Sequence, residues 1–284
     1  MSKLVYLERA ERKFEVGVGH DAIPALLSDV SRYIPLHEYT PGQRITHNNT
    51  IYFDSEDCFL LRNGLLSRYD HFRIRARKYE YDSTSVSGAL CYWMELKVRK
   101  GDLRKKQRIK LEGQDIEVLL KGKEIPERVL DYNRFDANSK ACGEIYREIQ
   151  DVIFEKQLKP LLLTSYKRVA FENKNERLSV DWDIRYFHVG SSVFNSVSLK
   201  DLSQKPAAYD NVVILELKYT GEFPSWMSDL QSRHPIWYRK SLSKLDRGMK
   251  ALLEGPLRPR GDSGSLLEMM YAHKEKGWDL SGRP

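Results

Sequence analysis

The stretch HFRIRARKY, residues 71–79, places Arg73, Arg75 and Arg77 at every second position, with Ile74 and Ala76 between them. Successive side chains of a β-strand point to opposite faces, so this spacing predicts three guanidinium groups on one face of a strand. Like charges held that close repel one another, and a fold that keeps them needs a reason. Other segments repeat the design. ALCYWMELKVRK (89–100) sets Glu95, Lys97 and Arg99 against Leu96 and Val98, and LRKKQRIKLEG (103–113) sets Lys106, Arg108 and Lys110 against Ile109 and Leu111. Upstream, AERKFEVGV (10–18) sets Glu11, Lys13 and Glu15 against Phe14 and Val16. Downstream, LLLTSYKRVAFE (161–172) aligns Tyr166 with Arg168, ERLSVDWDIRYF (176–187) aligns Arg177, Ser179, Asp181 and Asp183, and NVVILELKYTG (211–221) aligns Glu216 with Lys218.

An antiparallel sheet with one wet face also alternates, and for any single strand that explanation suffices. Solvent faces, however, mix Ser, Thr and Gln with charges of both signs. Here cations recur strand after strand, punctuated by isolated acids. Many short strands can close on themselves, which removes exposed edges and puts one face indoors. Isolated buried charges cost several kcal/mol each, so such an interior needs water and a polyanion. A phosphate chain supplies it, gripped bidentately by Arg and as a point charge by Lys. The expectation is an α+β fold, an antiparallel closed β-barrel of about eight strands with a charged lumen, flanked by helices.

Helices are expected at DAIPALLSDVSRYI (21–34), with Asp21 as N-cap and Pro24 in the first turn, and at SEDCFLLRN (55–63), closed by Gly64. Others fall at DIEVLLKG (115–122) and at CGEIYREIQDVIFEKQ (142–157), where Ile145, Ile149, Val152 and Ile153 keep helical spacing. PSWMSDLQSRH (224–234) and SLSKLDRGMKALLE (241–254) complete the set. YDSTSVSG (81–88) reads as a polar loop, and SLKDLSQKPAAYD (198–210) as a mobile one. After Glu254 the composition turns to GPLRPRGDSGS, followed by LLEMMYAHKEKGW. Residues 1–254 are therefore read as one folded domain, and 255–284 as a linker and tail with a short amphipathic helix.

A chain of 284 residues buries a sizeable core, and its net charge of +7 points to an anionic partner without choosing among nucleic acid, phosphate ester and acidic lipid. Apolar runs such as LLL (161–163) are too short to cross a bilayer, and MSKLVYLERAERKF lacks the apolar centre of a signal peptide, so a cytoplasmic location is expected. Cys58, Cys91 and Cys142 form no disulfide framework or zinc spacing, and His47, His71 and His188 belong to no metal-binding pattern. RIRARKY lacks interleaved aromatics for base stacking, which counts against nucleic acid.

ERKFEV, TIYFDS, RIRAR, ELK, SYKRVAF, LSVDWD, ILELKY and SLSK occur in this order. From about Glu11 to Glu254 the chain resembles the VTC catalytic domain. That domain is the polyphosphate polymerase of the vacuolar transporter chaperone complex, in the CYTH or triphosphate tunnel metalloenzyme superfamily. The resemblance implies transfer of the γ-phosphoryl of ATP to a growing inorganic polyphosphate chain. It implies Arg73, Arg75, Lys97, Arg168 and Arg177 as catalytic residues. Lys13, Lys106, Arg108, Tyr166, Lys218, Ser243 and Lys244 would line the phosphate track. Glu216, with Glu95 as a second ligand, would hold Mn²⁺ or Mg²⁺. The implied partners are ATP and polyphosphate, with no nucleic acid; a membrane-protein partner is compatible, and the oligomeric state stays open.

The chain departs from the family pattern in three ways. KxSK reads SLSK, with Ser241 in place of the first lysine. ExExK reads Arg9, Glu11, Lys13, one acid short, which counts against a metal-dependent hydrolase. The phosphate-sensing domain and membrane helices of the eukaryotic complex are not read in these residues. A tunnel triphosphatase and a non-catalytic polyphosphate or inositol-phosphate binding module stay open as alternatives. So do plain ion pairs for Glu216 and Glu95, a metal or arginine-orienting role for Asp181 and Asp183, and a helix cap for Ser243.

Overall fold

The computed structural model describes residues 9–254, apart from 18, 20–21, 40, 68–69, 82–90, 102, 137–138, 197 and 241. The expected Asp21 cap, the loop read at 81–88 beyond its first residue, Ser241 and the tail 255–284 lie outside the described residues.

Strand β1 (Arg9–Val16) leads to α1 (Ile23–Ser31), where Pro24 occupies the first turn and its missing N–H costs nothing. After β2 (Ile45–Asp54), the Asp54 carboxylate accepts the N–H groups of Leu60 and Leu61 at 2.8 and 3.0 Å and so starts α2 (Phe59–Leu66). This helix runs through Gly64 and is capped at Ser67, beyond the glycine expected to close it. Three strands follow as a meander: β3 (Asp70–Glu80), β4 (Cys91–Lys100) and β5 (Leu103–Glu112). Helices α3 (Gly113–Leu120), α4 (Glu127–Asn133) and α5 (Cys142–Glu155) come next. The second half comprises β6 (Lys159–Glu172), β7 (Glu176–His188), β8 (Ala208–Asp210), β9 (Val213–Thr220), α6 (Trp226–Arg233), β10 (Ile236–Tyr238) and α7 (Lys244–Glu254). The strands β8 and β10 have three residues each, too few to carry a period-2 signal.

All strands join one antiparallel sheet in the order β10-β1-β9-β7-β6-β2-β3-β4-β5, with β8 beside β7. The expected antiparallel sheet with a charged face and flanking helices is present. It has ten strands, and its ladder stays open: among the described residues β10 and β5 end the sheet without pairing to each other. No helix among the described residues is long and apolar enough to cross a membrane.

The apolar positions of the alternating strands pack outward against helices. Ile74, Ala76, Met94, Leu96, Ile109 and Leu111 meet α3 and α5, the latter through Ile145, Ile149 and Ile153. Phe14, Val169, Leu178, Leu215 and Leu217 meet α1 and α6 through Leu26, Val30, Met227 and Leu230. A third cluster lies on the inner face, where Leu245, Met249 and Leu252 of α7 cover Leu162, Tyr166, Tyr186 and Ile214.

Two expectations fail for physical reasons. The segment 198–210 is anchored: the buried Glu80 carboxylate accepts the N–H groups of Leu199 and Lys200 at 3.0 and 3.1 Å, and Ala208–Asp210 pairs with β7. The row Arg177, Ser179, Asp181, Asp183 breaks at its last member. The register between β6 and β7 slips there, with Asp183 at φ 52°, and Asp183 instead meets Lys167 at 3.3 Å. After the slip, Ile184 and Tyr186 take the inner face under α7.

Candidate functional site

The inner face carries the cationic rows, and the register decides which acid each cation meets. Arg75 faces Glu95, which in turn faces Arg108; Arg168 faces Asp181; Lys13 faces Glu216. Three acid-centred clusters result. Asp181, wholly buried, accepts two hydrogen bonds from Arg168 at 2.5 and 2.7 Å and one from Lys244 at 2.5 Å. Both cations also lie against the Tyr166 ring, 5.4 and 4.5 Å from its centroid. Glu95, 1% exposed, takes Arg75 at 2.5 Å and Lys106 at 2.8 Å. Glu216 takes Lys218 at 2.9 Å and Lys13 at 3.7 Å, and Glu11 touches the same two lysines at 3.5 Å each.

Burial alone would protonate these acids. For Glu95 the opposing charges of Arg75, Arg77 and Lys106 win and hold its carboxyl at about 2. For Glu216, Lys218, Lys13 and Arg168 likewise overcome burial and hold the carboxyl far below its usual range. Asp181 is lowered against its burial by Arg168 and Lys244. Lys97 behaves differently. It has no ion-pair partner within 4 Å among the described residues, and burial, aided by Arg75 and Lys106, pushes its ammonium down to about 7 despite Glu95.

Of the remaining cations, the β3 arginines adjoin these clusters. Arg73 reaches Asp246 of α7 at 4.0 Å, and Arg77 donates to Thr50 Oγ1 at 3.1 Å. The Tyr52 phenol is lowered against burial by Arg75, Arg77, Arg73 and Lys244, which ties the β3 row to α7. Arg108 stacks over Trp93, 4.2 Å from its centroid. Arg177 pairs with Glu172 at 2.9 Å at one end of the sheet.

A family model described as the VTC domain matches residues 8–253, most of the chain. The chain belongs to the VTC domain family. A vacuolar transporter chaperone complex subunit 4 from Trypanosoma brucei brucei is 28% identical over 163 residues, covering 52% of this chain and 20% of that protein. The chain thus spans about a fifth of the length of that relative. Among solved structures, a candidate adenylate cyclase from Bacillus halodurans has a TM-score of 0.47 at 16% identity, covering 84% of this chain and 95% of that one. A mimivirus capping enzyme triphosphatase has a TM-score of 0.31 at 11% identity, covering 78% and 86%.

In this VTC domain the arginines and lysines expected from the sequence share the inner face. Glu95 and Glu216 each neutralise two cations. Ser243 accepts from the Asp246 N–H at 3.3 Å, the geometry of an N-cap for α7. Asp181 orients Arg168 and Lys244. Sequence reasoning left three members of the site unassigned: Arg77, Trp93 and Asp246. The first two were legible, since Arg77 shares the parity of Arg75, and Trp93 that of Glu95. Asp246 carried no such signal, because only the seating of α7 on the sheet brings it to Arg73.

Proposed function

We propose that this VTC domain is a polyphosphate polymerase that transfers the γ-phosphoryl group of ATP to the end of an inorganic polyphosphate chain. The observation that carries the reading is the convergence of Arg73, Arg75, Arg77, Lys97, Arg168 and Lys244 on one inner face, with buried acids locking several of them in place. Phosphoryl transfer between two phosphate anions asks chiefly for alignment and charge neutralisation. The terminal oxygen of the acceptor chain is largely ionised at neutral pH, so no general base is required. It attacks the γ-phosphorus in line; the bond from that phosphorus to the β–γ bridging oxygen breaks, and ADP leaves with the electron pair.

Arg73, Arg75, Arg168, Arg177 and Lys97 hold the donor and acceptor phosphates. Asp181 and Glu95 fix their cations before substrate arrives, so little reorganisation accompanies the reaction. Lys13, Lys106, Arg108, Lys218 and Lys244 extend the field along the face, with Tyr166 supporting Arg168 and Lys244.

Among the described residues no group of three or more His, Cys, Asp or Glu side chains is close enough to cage a metal ion. Glu216 and Glu11 both contact Lys13 and Lys218, and these carboxylates fit Mg²⁺ or Mn²⁺ held by one or two carboxylates with phosphate oxygens and waters completing the shell. Such an ion would neutralise phosphate charge.

The test is incubation of purified protein with ATP and Mn²⁺, measuring ADP and resolving product on a gel. Long-chain product with stoichiometric ADP is expected. Orthophosphate released from tripolyphosphate, with no chain growth from ATP even when a short primer is supplied, would make the protein a triphosphatase instead.

A further inference from the structure

From the Glu95 cluster, two rows run to the end of the sheet where β3 and β5 begin and β4 ends. Arg73, Lys97 and Lys106 are direct cross-strand partners in one row, and His71, Arg99 and Arg104 in the next. Like charges placed directly opposite one another destabilise a sheet, and here five cations, with the His71 imidazole as the sixth member, stand opposite one another in two consecutive rows. The inner row is relieved by Asp246 beside Arg73 and by Glu95 beside Lys106. Cations at the other end of the strands are paired as well. Arg177 is paired with Glu172 at 2.9 Å, and Lys218 with Glu216 at 2.9 Å and Glu11 at 3.5 Å.

The mouth that carries the two rows is also one-sided. Its β6, β7 and β9 wall, at Leu162, Tyr186 and Ile214, is covered by the apolar residues of α7. A polyanion passing that way meets the two described rows on the β3–β5 wall. His71 is the one ring in the two rows, and its imidazole is kept below its usual pKa by burial and by Arg73 and Arg99. A single imidazole is a small stacking platform for bases, which favours a bare phosphate chain over a nucleic acid.

We infer that the row His71–Arg99–Arg104, next to the Arg73–Lys97–Lys106 row of the reacting position, forms an outlet track that binds the phosphates of a long linear polyphosphate beyond those at the reacting position. The track rests on the polymerase reading and gives it a direction: the chain leaves over β3–β5, past the apolar seat of α7. It is set to hold product while the inner cations exchange nucleotide.

The experiment compares equilibrium binding of long-chain polyphosphate, tripolyphosphate and an oligothymidylate to the full chain and to Arg99→Gln/Arg104→Gln. A Lys121→Gln/Lys174→Gln protein serves as the charge-matched control. The double variant in the track is expected to bind long-chain polyphosphate about tenfold more weakly and to lower the salt slope by about two, since each lost contact releases one counterion fewer. Tripolyphosphate binding should not change. Arg104→Gln alone, on the exposed edge strand, gives a smaller loss in the same direction and covers the case of a misfolded double variant.

Long-chain binding that matches the control, or an equal loss for tripolyphosphate, overturns the track while leaving the polymerase reading standing. Oligothymidylate binding as tightly as polyphosphate and lost in the same variants overturns it in favour of nucleic acid. A wild-type chain that binds neither phosphate ligand overturns both readings.

Discussion

Arg75 and Glu95 face each other across β3 and β4, and Lys106 completes the cluster from β5. Removing one partner of a buried pair leaves the other with a desolvated charge, which costs more than the pair contributed. Arg75→Ala is expected to lose activity and to cost about 3 kcal/mol of stability. Adding Glu95→Gln should return most of the stability and none of the activity, as read by urea unfolding beside ADP release. Additive destabilisation would mean that the two residues are not coupled.

Lys97 allows a different measurement. Its ammonium sits at about 7 in place of the usual 10.5, so between those values the unfolded chain binds more protons than the folded one. Its contribution therefore makes the fold gain stability as pH rises through that window, and weighs against the fold below about 7. A bound phosphate chain would draw the proton back. At pH 8, on the alkaline side of that shifted value, tripolyphosphate binding is expected to take up protons. Calorimetry in buffers of different ionisation enthalpy would show the uptake, and Lys97→Met should abolish it. Uptake that persists in the variant would move the titration to another group.

At the scale of elements, α7 is held on the inner face by close approach at Gly248. A Cβ there would stand 2.6 Å from Tyr186 Cδ1 and 2.8 Å from Leu162 Cδ2. Alanine is preferred over glycine within a helix by about 1 kcal/mol, but overpacking a filled site costs about 1 to 3 kcal/mol. Tyr186 is buried and its hydroxyl donates to Asp210, so it has little room to yield. Gly248→Ala should therefore lower the melting temperature by about 2 to 4 °C, despite its better helix propensity. A higher melting temperature would show that α7 can shift away without loss.

This helix also marks where the sequence stops being legible. The alternation in RIRAR, MELKV and RKKQRIKL shows which side chains share a face, because the period of a strand is local. The partner of each cation depends on register between strands distant in the chain, as in Arg168 with Asp181 and Lys13 with Glu216. The slip that removes Asp183 from its row has no signature in LSVDWD. Nor could KLDRGMKALLE announce that it would lie over Tyr166 rather than on the outside.

For the molecule as a whole, the inner face holds more cations than its acids neutralise, and the fold bears that repulsion until an anion arrives. A ligand that binds only the folded state stabilises it by mass action, about 2.7 kcal/mol at a hundredfold excess over its dissociation constant. Tripolyphosphate should therefore raise the melting temperature at low ionic strength. The gain should shrink as the screening length falls from about 10 Å at 0.1 M salt to about 3 Å at 1 M. Salt alone should move the unliganded protein in the opposite sense, because screening relieves the internal repulsion before it weakens the buried pairs at Asp181 and Glu95. These two trends separate a face strained by like charges from an ordinary basic surface, where salt would leave the unliganded melting temperature nearly unchanged. A melting temperature indifferent to tripolyphosphate at low salt would mean that the rows on β3, β4 and β6 are structural decoration and not a phosphate site.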